Sequence, residues 1–157
     1  MKGIQLISIM LFLSACGNET RVSTLPDPVP DQEIQSSEEG LSLTLLEDTF
    51  TGSPEIINTH VQNVSPDNYS YGGFYHIEVE KDGQWFIITY SDAVFIKNPR
   101  FKDFGITLRA GDETYQTFSV EELGVTLFPG NYRLVKTFLS EGDSFYEITV
   151  AVPFFVK

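Results

Sequence analysis

The residues best suited to metal or acid–base chemistry are two histidines and one cysteine. The chain has 157 residues, with histidine only at His60 and His76 and cysteine only at Cys16. A zinc site needs three or four nitrogen, sulfur or carboxylate ligands, and no third ligand stands near the histidines at a recognisable spacing. We therefore predict no metal site, and we expect both histidines to be ordinary strand residues.

Acidic side chains offer a second type of chemistry. Glu78 and Glu80 alternate along a predicted strand, about 7 Å apart on one face, and a glycosidase needs two such carboxylates. Alternating acids are more typical of a solvated strand face. Asp103, Asp112 and Glu113 lack the spacing of a calcium loop, and neither a Gly-x-Ser-x-Gly elbow nor a phosphate-binding glycine loop is present. The sequence predicts no catalytic residues and no enzyme.

Cys16 ends an N-terminal segment with its own pattern. Lys2 gives a positive start, and residues 4–13 are mostly apolar. That run is too short for a membrane-spanning helix, which needs about 20 residues, so it predicts a signal peptide. Leu13-Ser14-Ala15-Cys16 resembles the lipobox of bacterial lipoproteins. The resemblance implies that residues 1–15 are a signal peptide, removed before Cys16, whose thiol carries a diacylglyceryl group.

Lipidation would decide where the protein sits. Each buried acyl methylene contributes about 0.8 kcal/mol, so two or three chains such as palmitate hold a domain stably on a membrane. We expect an extracytoplasmic location: the outer face of the plasma membrane in a Gram-positive cell, or the outer membrane in a Gram-negative one. The expected partners are that membrane and envelope proteins. A net charge of −12 disfavours nucleic acid, and no cofactor is predicted beyond the covalent lipid on Cys16.

Residues 16–39 follow as a polar segment. Residues 17–39 hold six acids, one base and alternating Pro26, Pro28 and Pro30. Such a composition is too polar to bury itself, and its prolines favour extended backbone. We predict a flexible acidic linker that lets the following domain stand away from the bilayer.

From residue 40 the pattern changes to short runs with period-two alternation, and no window of helical length shows a 3.6-residue period. Thirteen Phe and seven Tyr also favour strands. We predict an all-β domain of seven or eight strands, with an Asp82-Gly83 hairpin turn and Pro153 at a sheet edge or bulge. The candidate segments for these strands are nine, of which Ala93–Ile96 is the weakest: Leu41–Glu47, Glu55–Ser65, Phe74–Glu80, Trp85–Tyr90, Ala93–Ile96, Gly105–Arg109, Thr114–Val120, Asn131–Leu139 and Ser144–Val156.

One short motif favours a sandwich over a barrel. Leu127, Pro129, Gly130 and Tyr132 have the form of a tyrosine corner. In that motif the tyrosine hydroxyl bonds to backbone just upstream and fixes the crossover between two sheets. We expect Leu127 to face the core and Tyr132 to be structural, with Pro129 and Gly130 shaping the corner.

Residues 40–157 resemble the bacterial Ig-like domains of surface proteins from spore-forming and related Gram-positive bacteria. The resemblance lies in Tyr71–Glu78 (YGGFYHIE), Asp82–Trp85 (DGQW), Pro129–Lys136 (PGNYRLVK) and Phe155–Lys157 (FVK). It implies an antiparallel immunoglobulin-like β-sandwich that is a spacer or an interaction module, and it carries over no catalytic residues.

Two functions stay open. The first is a surface-anchored, non-catalytic interaction or spacer module in the cell envelope. The alternative is a lipoprotein that binds a small ligand or glycan through aromatic loop residues, with Tyr71 and Tyr75 beside a Gly-Gly turn as candidate binding residues. Packing at the end of the sandwich explains the same aromatic residues, and an envelope hydrolase with an unrecognised site is the least favoured reading.

Overall fold

The computed structural model describes residues 21–90 and 104–157, and within these ranges all regular structure is β. No helix in the described ranges has the length and hydropathy needed to cross a membrane. In chain order the strands are β1 (Ser37–Glu38), β2 (Leu41–Leu45), β3 (Thr49–Phe50), β4 (Ile56–Asn63), β5 (Tyr69–Tyr71), β6 (His76–Lys81), β7 (Gln84–Ile87), β8 (Ile106–Leu108), β9 (Glu113–Ser119), β10 (Gly130–Ser140) and β11 (Glu147–Val156). They confirm the predicted all-β sandwich, but the described residues contain eleven strands instead of the predicted seven or eight. The unpredicted β1, β3 and β5 have only two or three residues each, too few for alternation to show.

The strands form two sheets. The first has the order β1-β2-β4-β9 and is antiparallel throughout. The second is built around the long hairpin of β10 and β11. One end of β10 pairs with β5, which continues to β8, and the other end pairs with β6, which continues to β7. The short β3 lies parallel to β11 at the edge.

The core lies between the two sheets and follows from period-two alternation. In β4, every second residue from Ile57 to Asn63 is buried, and the residues between them point outward. In β10, the inward residues include Tyr132, Leu134 and Phe138, all with 1 % exposure or less. The predicted period-two alternation is therefore present in β4, whereas β10 is buried on both faces from Tyr132 to Lys136.

Several local predictions can be compared directly. The β6–β7 hairpin turns at Asp82 and Gly83, with φ of 53° and 77°, the left-handed conformation that Asp-Gly adopts most easily. Pro153 lies on the outer edge of β11: the flanking amides of Ala151 and Phe155 both donate away from β10, so proline removes no ladder hydrogen bond there. The predicted strand Ala93–Ile96 lies outside the described residues.

Residues 21–36, which we call the strap, differ from the predicted flexible linker. Near one edge of the second sheet, Thr24 bridges Ile88, and the Leu25 and Val29 amides donate to the carbonyls of Ile87 and Trp85, each at 2.9 Å. Val22 and Val29 are buried, at 8 % and 9 % exposure. The strap is therefore part of the folded domain.

The strap then crosses to the opposite edge of the same sheet. The Gln35 carbonyl accepts from the Ala151 amide at 2.9 Å, and the Ser36 carbonyl accepts from Leu43 of β2 at 2.8 Å. Polar composition suggested disorder, but backbone hydrogen bonding does not depend on side-chain polarity. Two valines and a row of backbone bonds order the strap, and its prolines suit extended chain. Residues 16–20 of the predicted linker lie outside the described residues.

Candidate functional site

The corner between the sheets is built around Tyr132. Its hydroxyl donates to the Phe128 carbonyl at 2.7 Å, and its ring stacks on Phe154 with centroids 5.5 Å apart. Leu127 is buried, and its amide donates to Ser53 Oγ at 3.0 Å. Burial raises the pKa of Tyr132, because the charged phenolate is poorly solvated there. The predicted hydrogen bond is present, and this tyrosine is structural.

Tyr71 and Tyr75 are not placed to bind a ligand. Both are buried, at 8 % and 2 % exposure. Tyr71 packs against Phe138 and Tyr75 against Phe118, and the Tyr75 hydroxyl donates to the Ser119 carbonyl. The structure corrects their candidate binding role: the aromatic cluster belongs to the core because β5 and the segment before β6 turn it inward.

The two histidines pair with carboxylates on opposite sheets. His60 Nε2 lies 3.0 Å from Glu113 Oε2 on the outer face of the first sheet. His76 Nε2 lies 2.9 Å from Glu78 Oε1 on the second. Within residues 21–90 and 104–157, no group of three or more His, Cys, Asp and Glu could hold a metal ion.

A buried ion pair holds the strap on the second sheet. Glu78 and Arg133 are opposite residues of β6 and β10, and Arg133 Nε donates to Glu78 Oε2 at 2.6 Å. The rest of the guanidinium donates to the carbonyls of Gln32 and Asp31, at 3.0 and 2.8 Å. Arg133 also stacks over the Trp85 ring at 4.7 Å. We call Glu78, Arg133 and these strap carbonyls the latch.

A second buried cation lies inside the core. Lys136 is 1 % exposed, and its Nζ donates to the carbonyls of Gly72 and Phe74. Its ammonium also lies over the rings of Tyr71, Phe118 and Phe138, at 5.6–5.9 Å. Carbonyl oxygens and ring faces both favour a cation. Lys136 therefore fixes the Gly-Gly segment to the core. It joins the motif at residues 129–136 to the motif at residues 71–78.

The outer face of the second sheet holds an open groove of about 310 Å³. The groove lies next to the latch. Glu80 lies two residues after Glu78 on β6, and Asn131 lies two residues before Arg133 on the antiparallel β10. Asn131 Nδ2 donates to Glu80 Oε2 at 3.0 Å. The lining comprises Asp48, Thr49, Glu80, Trp85, Asn131, Tyr132, Pro153, Phe154 and Phe155.

The geometry agrees with the comparison against protein-family models. The model described as Bacterial Ig-like domain matches residues 37–154. The chain belongs to the bacterial Ig-like domain family. Searches of curated proteins and of solved structures gave no match.

The Ig-like domain thus has two features that its sequence did not predict, the latch and the groove. The latch joins Glu78, read as one of two solvated strand acids, to Arg133, 55 positions later. The groove brings Trp85 together with Pro153 and Phe155. The sequence places Trp85 only in a turn motif and the strand after it, and it places Pro153 and Phe155 only in the last strand. Alternation placed each residue on its face, but only strand order brings β3, β7 and β11 together around one groove.

Proposed function

We propose that this chain is a bacterial lipoprotein whose Ig-like domain serves as a non-catalytic interaction or spacer module on the outer side of a cell membrane. The lipobox carries the anchoring half of the proposal: the chain's single cysteine follows Leu13-Ser14-Ala15 directly. The other half rests on family membership and on the structural roles of the histidines and buried tyrosines.

The strap sharpens how such an anchor would present the domain. The described fold begins at Arg21, so only the four residues 17–20 separate the lipidated position from it. The five steps of chain from Cys16 to Arg21 span at most about 18 Å. The domain would therefore stand close to the bilayer instead of at the end of a long tether, with little room for anything bulky beneath it.

The same geometry gives the domain a direction. Arg21 and Val22 line a surface cleft with Phe128, Pro129 and Gly130, at the start of β10. That strand runs for 11 residues to Ser140, a length of about 33 Å. The end of the sandwich at Ser140 would point away from the membrane, and the open groove on the outer face of the second sheet would be accessible from the side.

The alternative ligand-binding function through Tyr71 and Tyr75 is not favoured, because both rings are buried.

Phase separation in Triton X-114 tests the anchor. The full chain expressed in a bacterial host should enter the detergent phase and take up labelled palmitate, and mass spectrometry of its N-terminal peptide should show a diacylglyceryl group on Cys16. Cys16→Ser should lose label and detergent partitioning. Because the domain contains no disulfide to lose, the variant keeps its fold, and its near-ultraviolet circular dichroism is the control. An unmodified sulfur at Cys16 in the wild type contradicts the proposal.

A further inference from the structure

The groove beside the latch has the composition of a binding site for a cationic side chain. Its lining includes aromatic and proline rings, among them Trp85, Phe155 and Pro153. Two carboxylates, Asp48 and Glu80, stand among the lining residues, and the described lining includes no lysine or arginine. Aromatic faces and carboxylates are the two groups that attract an ammonium or guanidinium ion.

Strand pairing holds these groups together. Glu80 lies opposite Trp85 on the β6–β7 hairpin, and Phe155 lies opposite Asn131 on the β10–β11 hairpin. Asn131 Nδ2 donates to Glu80 Oε2 at 3.0 Å and joins the two hairpins. Asp48 is held by its carbonyl, which accepts from the Phe155 amide at 2.8 Å. The site is therefore built on backbone pairing, and its geometry exists before a ligand arrives.

Among the described residues the groove is lined by negative charges only, Asp48 and Glu80, and the buried cation beside it is already paired. Arg133 lies over the Trp85 ring, but Glu78 pairs with it at 2.6 Å, and strap carbonyls take its other donors. Within the described part of the chain, neither Asp48 nor Glu80 forms an ion pair with a cation, and Asp48 is exposed. An incoming cation would meet the exposed carboxylate of Asp48.

We propose that this groove binds a lysine or arginine side chain presented by a partner protein outside the membrane. The aliphatic stem would lie along Phe155 and Pro153, and the charged end would meet Glu80 and Asp48. A neutral sugar fits less well, because two polar donors of the groove are already used: the Asn131 amide donates to Glu80 and the Thr49 hydroxyl to Asp48. The inference deepens the interaction role proposed above and rests on it.

The chain's single tryptophan provides the measurement, because Trp85 lines the groove. The full chain in a nonionic detergent is titrated with Nα-acetyl-lysine methylamide and with its arginine analogue while Trp85 emission is recorded. We expect a saturable change with a Kd in the millimolar range, as suits so small a ligand, weakened by added salt. Nα,Nε-diacetyl-lysine methylamide has the same stem without the charge and should give no saturable change.

Variants locate the response. Glu80→Gln and Asp48→Asn should each weaken binding about two- to fivefold, the range for an exposed ion pair. Phe155→Ala should weaken it without removing its salt dependence. Glu113→Gln, on the outer face of the other sheet, is the matched control and should change nothing. Near-ultraviolet circular dichroism shows that each variant is folded.

Three outcomes overturn the proposal: no saturable response to either cation, an equal response to the diacetylated probe or to N-acetylglucosamine oligomers, or affinity that Glu80→Gln and Asp48→Asn leave unchanged. Detergent partitioning of the same preparations reports the anchor separately. A chain that enters the detergent phase but ignores both cations refutes the groove alone, and a chain that binds them without carrying lipid refutes the anchor alone.

Discussion

Side chains point alternately inward and outward in both sheets, but the outer faces of the two sheets differ in their exposure to solvent. On the first sheet, outward residues such as Asn58, His60 and Tyr115 meet solvent, and Tyr115 is 66 % exposed. On the second sheet, the outward residues Arg133 and Val135 are 4 % and 0 % exposed. Among the described residues, the strap accounts for the difference: its carbonyls accept from Arg133, and Gln35 accepts from Ala151, which lies opposite Val135. Alternation shows which residues share a face, but it does not show whether that face is covered.

The latch is the strongest way to break this comparison. Arg133→Ala leaves the buried Glu78 carboxylate with His76 as its remaining partner and removes both strap bonds, so we expect a loss of about 3–5 kcal/mol in the free energy of unfolding. Urea unfolding followed by circular dichroism measures it. Arg109→Ala, at an exposed position, is the control and should stay within about 0.5 kcal/mol.

A double variant separates the ion pair from the covering effect. Replacing Glu78 and Arg133 together with Leu and Met removes both charges, so the uncompensated carboxylate disappears. We expect this double variant to be more stable than Arg133→Ala. If both lose the same amount, the strap bonds carry the effect and the ion pair does not.

Gln32 tests the strap without disturbing a charge. Its side chain donates to the carbonyls of Val29 and Trp85 and accepts from the Trp85 amide, at 2.6, 3.3 and 2.8 Å. Gln32→Ala should cost about 1–2 kcal/mol, since it leaves these partly buried groups unpaired, and should shift Trp85 emission. Gln35→Ala is the matched control because its side chain is exposed and bonds only to Glu33. Equal losses would show that Gln32 has no special role.

Tyr132 provides a reference that lies in the core and not under the strap. Tyr132→Phe should cost about 0.5–1.5 kcal/mol, the usual net worth of one hydrogen bond, with Trp85 emission unchanged. Tyr115→Phe on the exposed face should cost nothing measurable in the same urea experiment. A wild-type stability for Tyr132→Phe would argue against the corner's contribution.

The raised pKa of Tyr132 adds a pH dependence. Because the folded state keeps this proton more tightly than the unfolded state, whose pKa is about 10, the contribution is complete below that pH. It is lost as pH rises through the folded-state pKa. The stability difference between the wild type and Tyr132→Phe should therefore shrink above about pH 10, and a constant difference up to pH 11 would contradict it.

The smallest effect belongs to the exposed face. His60 pairs with Glu113 and stacks on Tyr115 with centroids 4.8 Å apart, but the pair is solvated. His60→Ala should cost about 0.5 kcal/mol or less, and the double-mutant cycle with Glu113→Ala should give a coupling energy within that range. A loss as large as that of Arg133→Ala would remove the contrast between the two faces.

The sequence alone determined the features that depend on local pattern. Alternation located β2, β4, β6, β9, β10 and β11 to within a few residues, Asp82-Gly83 determined a turn because it tolerates positive φ, and Leu127–Tyr132 indicated the corner whose hydrogen bond the structure contains. The family model matches the greater part of the region assigned to the Ig-like domain. Each of these signals lies within a short stretch of chain.

Only the tertiary structure decided which polar residues are buried and which aromatic side chains are exposed to solvent. Strap and latch join residues 31–32 to Arg133, about a hundred positions apart, and no local pattern predicts that contact. The strap has the composition of a linker and is nevertheless ordered, because backbone hydrogen bonds and two buried valines hold it. Tyr71 and Tyr75 lie in a cluster of aromatic residues that is also typical of a binding site. They are part of the core because the strand order turns them inward. Composition averages over a segment, whereas burial depends on the neighbours that the fold supplies.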